Sequence, residues 1–494
     1  MVTRVTARKT TAGPAVREAA VLPRERMSKV DTAWLRMDSA HNLMMIVGVW
    51  VIRPGVSYAD LAARLQERMT QYPRFLQRVV EDATGASWVP DAQFDIAHHL
   101  VRETLPKTRK AGQQQALQDR LAELCTLPLE RKHPLWQFHL VEHYKGGSAL
   151  IARIHHCIAD GIALIAVTQS LMDGGAAPPQ EPAPLAQGAE AWIAQALLKP
   201  LTRFAVDALD QAGRGAQKSL HLLHDAPLEK ALAASVDAAK MVCQVAGDLA
   251  ALALMSDDSP TSLKGMPGCH KRVAWCAPLP LADVKAVGRA LNCSINDVLL
   301  SCVAGALGAY LRKLGESTEG KQIRAMVPVN LRPLEQAYKL GNQFGLAPLV
   351  LPIGLDNPVE RLYEVRLRMA GLKGSTQPML TFGLLAVAGL LVKPAQDAML
   401  NLFSKKTTAV MTNVPGSATK LRLCGATVEE TLVWVPQSGT VGLGVSILSY
   451  GGGVQFGVVS DAQLCPDPQQ IIDQFEPEFN KLAMVTLMLP WGDE

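Results

Sequence analysis

Two histidines stand side by side in ARIHHCIADGIAL, residues 152–164, with Asp160 four positions after the second and Gly161 directly behind it. A neutral imidazole accepts a proton from a hydroxyl or thiol near neutral pH, and general-base help of this kind contributes about 10²–10⁴-fold in rate. The preceding run, SALIARIHH, reads as a strand, so His155 and His156 point to opposite faces and only one of them faces a given cavity. Asp160 precedes GIALIAVTQSLM, which has the apolar spacing of a buried helix; Asp is a favoured N-cap, and Gly161 lets the chain turn tightly from strand to helix. Asp160 thus serves as a cap, as an orienter of the imidazole, or as both. No GxSxG elbow and no HExxH pair occurs, which removes the main support for a serine nucleophile. A base without an attached nucleophile implies that the nucleophile belongs to a substrate. His139 and His143 in HLVEHY invite a metal reading, but on a strand they lie about 13 Å apart on one face, too far for a shared ion, and no metal is assigned.

The elements that must carry these groups are of mixed α/β character. LMMIVGVWVI, PLWQFHLVEHY and SALIARIHH read as strands and YADLAARLQERM as a helix. GGAAPPQEPAPLAQG, from Gly174 to Gly188, has nothing to pack and marks a linker; residues 189–257 follow with helical periodicity. SINDVLLSCVAGALGAYLRKL is a helix with Ser294 as N-cap and Asp297 three residues on in a near capping box; IRAMVPVNLR, LAPLVLPI, TTAVMTNVPG, VGLGVSILSY and GVQFGVVSD read as five strands. The expected organisation is a disordered basic arm over 1–27, an α/β domain over 28–173, a linker and helical connector over 174–264, and a second α/β domain over 265–494. A chain of 494 residues exceeds what one core usually organises, which fits two domains.

Composition narrows the partners. A formal charge of +4, from 49 basic and 45 acidic groups, without aromatic interleaving of the basic residues, argues against nucleic acid. Nine cysteines without CxxC spacing fit reduced thiols and a cytoplasmic setting. The longest apolar run, Met379 to Val392, is shorter than the roughly 20 residues a spanning helix requires.

HHCIADG resembles the HHxxxDG signature of the CoA-dependent acyltransferase superfamily, and further motifs narrow the likeness. Pro134, Leu135 and Trp136, in HPLWQ, and Asn296 with Asp297, in INDVLL, make the chain similar to the bacterial wax ester synthase/diacylglycerol acyltransferase family; FDIAHHLV, VPVNLR, GNQFG, TNVPG and SYGGGVQFGVVSD fall in the expected order. Where the family carries a Met-His-Val-Gly stretch this chain reads LMMIVGV, without the histidine, and its leader and connector are longer than the family's. The resemblance implies two chloramphenicol-acetyltransferase-like α/β domains joined by a helical crossover, with the active site in a tunnel between them. It implies acyl-CoA as a substrate rather than a cofactor, and a fatty alcohol or diacylglycerol as acceptor. His156 then takes the acceptor's proton as it attacks the thioester, without a covalent enzyme intermediate. Asp160 is mainly architectural, Gly161 leaves room beside the imidazole, and Asn296 either donates to the tetrahedral oxyanion or shapes the domain interface. His155 supports the site from the other face; Pro134, Leu135 and Trp136 are taken as structural or substrate-tunnel residues, with Trp136 read as packing rather than ligand contact. Insoluble acceptors and products imply peripheral contact with a membrane or lipid body, through amphipathic stretches in residues 228–256 and 379–403. A condensation-type enzyme using a carrier-bound acyl donor, and a noncatalytic lipid-binding relative, are the alternatives.

Overall fold

The computed structural model describes residues 24–176 and 255–488, apart from the short stretches 83–84, 107–108, 110–111, 334–335, 337, 373–374 and 392. The leader up to residue 23, the bulk of the linker and helical connector, and the apolar stretch 228–254 lie outside the described residues.

The first sheet runs in the order Arg422–Leu423, Ala426–Trp434, Met45–Arg53, Gly147–His155, Trp136–Tyr144, Leu100–Glu103. Gly147–His155 is buried at every position, as expected of a near-continuous apolar strand covered on both faces. Alternation divides the two faces: Val47, Val49, Val51 and Ile151 pack against the helix Gln113–Leu124, whereas Ile46, Trp50, Ala152 and Ile154 belong to the cluster on the opposite side. That opposite side is roofed by Tyr58–Met69, which buries Leu61, Leu65 and Met69 at four-residue spacing, and by Gly161–Leu171.

The second sheet runs Phe344–Leu351, Ile323–Asn330, Ala409–Pro415, Leu443–Tyr450, Gly453–Asp461, Lys271–Trp275, and its five longer strands are those read from sequence. Its outer face is covered by helices around Ile295–Lys313, whose start carries a complete capping box between Ser294 and Asp297. This helix is long and apolar enough to cross a membrane, but 78% of its apolar window is buried by the rest of the protein.

Two boundary expectations are corrected. The arm does not extend to residue 27: Glu25–Arg26 pair antiparallel with Ser87 and Trp88, and Arg26 holds Asp82 at 2.7 Å. Residues 265–494 are not a self-contained domain either. Ala426–Trp434 leaves the second half and pairs antiparallel with Met45–Arg53, placing Leu432 and Trp434 in the same apolar cluster as Val47, Val49 and Trp275. Its sequence, ATVEETLVW, is weak strand material, with polar residues at its centre where alternation would place apolar ones.

Candidate active site

The strand Gly147–His155 ends in a turn whose backbone is pinned from three sides. The amide of His155 donates to the Leu135 carbonyl (2.9 Å), that of His156 to the Met44 carbonyl (2.7 Å), and Ala159 bridges Gly341 of the second lobe. The two imidazoles part as alternation requires. His155 Nδ1 accepts the Cys157 amide (3.2 Å), which leaves Nε2 to donate to Asp38 at 3.3 Å. Asp38 also accepts the Met44 amide at 2.7 Å. Burial pushes the Asp38 carboxyl up, but His155, the Met44 amide and Arg131 outweigh it and hold the pKa below its ordinary value.

His156 is buried 97% from solvent (3% exposed) and lines a cavity of about 360 Å³ between the two sheets. One wall is Ile46, Gly48, Trp50, Ala152 and Ile154 of the first sheet; the facing wall is Phe344, Leu346, Val410, Thr412 and Val414 of the second; helix Gly161–Leu171 closes a third side. The lining is overwhelmingly apolar, which suits an acyl chain and excludes competing water. The imidazole stacks on Trp34, with centroids 4.2 Å apart and planes 13° from parallel, and Phe344 stands 5.3 Å away. Its Nδ1 lies 2.8 Å from Asn342 Oδ1, an oxygen that can only accept, so the ring proton sits on Nδ1. Nε2 makes no hydrogen bond among the described residues. Asn342 Nδ2 donates to Asp31 Oδ1 and to the His156 carbonyl, each at 2.7 Å. Burial drives the His156 pKa down to about 4, opposed by a hydrogen bond to the residue's own main chain and then by the Asn342 bond, with the neighbouring His155 adding to the fall; burial raises Asp31 to about 6. The ring is therefore neutral at physiological pH, with a free lone pair open to an apolar chamber.

Asp160 does not touch this imidazole. It caps Gly161–Leu171 by accepting the Ala163 amide (3.0 Å), and its other oxygen takes Arg332 Nη2 (3.0 Å) and the Gln343 amide (2.9 Å). Arg332 also donates to the Gly341 and Lys339 carbonyls. The orienter reading is corrected: Asp160 is an architectural tie between lobes. Gly161 has no left-handed backbone, so the tight turn does not require it; a Cβ there would meet no protein atom within 4 Å, and the residue lines the cavity.

Asn296 is corrected as an oxyanion donor. It is exposed at the start of Ile295–Lys313 and is absent from the cavity wall; its Oδ1 accepts Asn413 Nδ2 at 2.9 Å, and Asn413 is the one that lines the cavity. Asp297 is a helix cap. The substrate-tunnel reading of Pro134, Leu135 and Trp136 is corrected, since none lines the cavity: the Leu135 carbonyl accepts the His155 amide, and the buried Trp136 donates to the Phe75 carbonyl (2.9 Å) and stacks on His99. His139 is spoken for by Glu103 (2.9 Å), and His143 sits at a bulge with φ 62°, so the two do not share one regular face. The groups that sequence reasoning missed are Asp31, Trp34, Arg332, Asn342 and Phe344. Two stretches noted as similarities contain three of them, GNQFG with Asn342 and Phe344 and VPVNLR with Arg332, but neither carried a role for them.

The wax ester synthase/diacylglycerol acyltransferase catalytic domain matches residues 27–299 and the C-terminal domain of the same family residues 340–483. A Mycobacterium tuberculosis protein named "Probable diacyglycerol O-acyltransferase tgs1" is 26% identical over 471 residues, covering 93% of this chain and 96% of the relative. Among solved structures, the wax ester synthase/diacylglycerol acyltransferase from Marinobacter aquaeolei superposes with a TM-score of 0.62 at 19% identity, covering 93% of this chain and 99% of that one. The first condensation domain of the calcium-dependent antibiotic synthetase superposes with a TM-score of 0.54 at 15% identity, covering 94% and 97%. With its two-lobed α/β architecture and both family domains matched in order, the chain belongs to the wax ester synthase/diacylglycerol acyltransferase family.

Proposed function

We propose that this acyltransferase moves a long-chain acyl group from acyl-CoA to the hydroxyl of a fatty alcohol or diacylglycerol, with His156 as general base. The observation that carries this reading is the free Nε2 of a neutral imidazole opening on an apolar cavity shared by both lobes. The acceptor O–H gives its proton to Nε2 as its oxygen attacks the thioester carbon. The tetrahedral adduct then expels the sulfur, which takes the proton back from Nε2, giving an ester and free CoA. A base whose pKa is held near 4 does not retain that proton, which suits a handover within one turnover.

The adduct's oxyanion needs a donor other than Asn296. Gly161 and Ile162 open the helix Gly161–Leu171 at the cavity wall, and the Asp160 carboxylate and carbonyl take the Ala163 and Leu164 amides. The first two helical N–H groups have no acceptor among the described residues and supply the positive end of the helix dipole.

Peripheral contact with a membrane or lipid body belongs to the same reading. It is supported by Met379 and Leu390, which are 40% and 58% exposed around the apolar helix Gln377–Ala388. Purified protein given palmitoyl-CoA and hexadecanol, or palmitoyl-CoA and a diacylglycerol, tests the reaction. Free CoA with matching ester is expected. Turnover only from a carrier-bound acyl group would favour a condensation-type enzyme, and ligand binding without turnover a noncatalytic relative.

A further inference from the structure

We infer that Asn342 and Asp31 are positioning residues for this reaction: the Asn342 side-chain amide, oriented by Asp31, holds the His156 proton on Nδ1 and so keeps Nε2 a base. The inference rests on the reading of His156 as the general base and adds what sets its tautomer. Two groups fix the amide's direction. Asn342 Nδ2 faces the Asp31 carboxylate and the His156 carbonyl, both at 2.7 Å and both acceptors only. Turning the amide over would set its oxygen against two oxygens, losing both of those bonds, and would face its NH₂ to Nδ1, which demands the opposite tautomer with the proton on Nε2. The Asn342 backbone amide also donates to Asp31 Oδ1 at 3.1 Å, so the carboxylate locates main chain and side chain together.

The choice of an amide matters electrostatically. A carboxylate on Nδ1 would stabilise the imidazolium and raise the ring's pKa, as a neighbouring negative charge does. An interposed amide orients the ring without charging it, and the Asp31 charge acts one residue removed. The other groups around the turn add no free charge: His155 is paired with Asp38 and Asp160 with Arg332, and burial pushes the Cys157 thiol up, keeping it neutral.

Asn342 follows a segment of the second lobe that is stitched to the catalytic turn. The Gly341 amide donates to the Ile158 carbonyl at 3.0 Å, and the Gln343 amide reaches Asp160 at 2.9 Å. The second lobe therefore supplies the group that sets the first lobe's base, and the base is correctly protonated only when the lobes are docked.

The test compares kcat, KM and pH–rate profiles of the full chain, using palmitoyl-CoA and hexadecanol, for Asn342→Ala, Asn342→Asp, Asp31→Ala, Asp31→Asn and His156→Gln. Asn342→Ala is expected to lower kcat about 10- to 100-fold with KM held within about threefold. Asn342→Asp is expected to move the acid limb of the profile up by about one pH unit or more, which a merely structural role would not do. Asp31→Asn, whose oxygen still accepts from Asn342, is expected to retain several-fold more turnover than Asp31→Ala. A tautomer measurement avoids the Asn342 and Asp31 variants: the ¹⁵N-histidine spectrum of the wild-type chain, with the His156 signal assigned by its loss in folded His156→Gln, should report an unprotonated Nε2. A protonated Nε2, an unchanged kcat in Asn342→Ala, or an unmoved acid limb in Asn342→Asp overturns the inference. If His156→Gln itself keeps full turnover, the base assignment fails as well; if only the Asn342 and Asp31 variants are silent, the failure is confined to the relay.

Discussion

His155 and His156 are joined by one peptide bond and lie in regions of opposite electrostatic design. On the His155 side a carboxylate sits directly on the ring: Asp38 takes Nε2, is kept below its ordinary pKa, and leaves no imidazole lone pair free. On the His156 side the carboxylate stands one residue back, an amide intervenes, and Asp31 is pushed up to about 6 while the ring falls to about 4. The first arrangement favours the ionised carboxylate and stabilises the fold; the second tolerates a costly buried charge and leaves a ring nitrogen unpaired. Alternation on the strand gives one imidazole an ion pair and turns the other to the cavity.

The sharpest way to break this contrast is to remove each ring. His156→Ala should lower kcat by about 100- to 10,000-fold in the ester-forming assay, whereas His155→Gln should leave kcat within about tenfold and appear mainly as a lower Tm. Removing the tie beneath both, Arg332→Ala, leaves Asp160 buried without its cation and should cost about 3–5 kcal/mol in denaturant unfolding.

The two carboxylates should respond to neutralisation with opposite signs. Asp31 has a folded pKa above its unfolded one, so its ionised form is a penalty above about pH 6 that is relieved as pH falls through 6 toward the ordinary 3.8. Asp31→Asn should raise Tm at pH 7.5, with the gain shrinking across that window. Asp38 has a lowered pKa, so its contribution is present above the ordinary carboxylate value and is lost as pH falls through the folded one; Asp38→Asn should lower Tm at pH 7.5. The rate profile gives a further check. An imidazole at its ordinary value would lose half its base form near 6.5, but His156 should remain active from pH 7 down to about 5. Protonating Asp31 on Oδ2 leaves Oδ1 to accept from Asn342, so the relay geometry survives that step. The smallest expected effect is Asn296→Ala, which should change kcat less than about threefold because the residue lies outside the cavity wall.

What the sequence revealed, and what it hid, follows the range of the interactions. The helix Tyr58–Met69 begins and ends where its apolar period and Ser57 cap place it, and Gly147–His155 is the strand its alternation implies, because both are governed by neighbours a few residues away. The opposed directions of His155 and His156 were legible for the same reason. The partner of His156 was not: Asn342 is 186 positions distant, and although GNQFG stood out as a stretch, nothing in it says which side chain its amide meets. Asp160 was correctly seen as a cap, but Arg332, which decides its second role, lies 172 positions on. Asn296 drew attention through its motif and chemical type, and only the fold could show that it meets the cavity through Asn413. The crossing of Ala426–Trp434 into the first sheet is of the same kind, since ATVEET carries too little apolar alternation to declare where it will pair.

That crossing strand bears on how the chain is made. Met45–Arg53 leaves the ribosome hundreds of residues before its neighbour Ala426–Trp434, so for most of translation one long side of an apolar ribbon has its amides and carbonyls unmatched. The amino-terminal half expressed by itself should therefore cling to chaperones or precipitate, and coexpression with the missing carboxy-terminal half should rescue it by supplying the absent neighbour in trans.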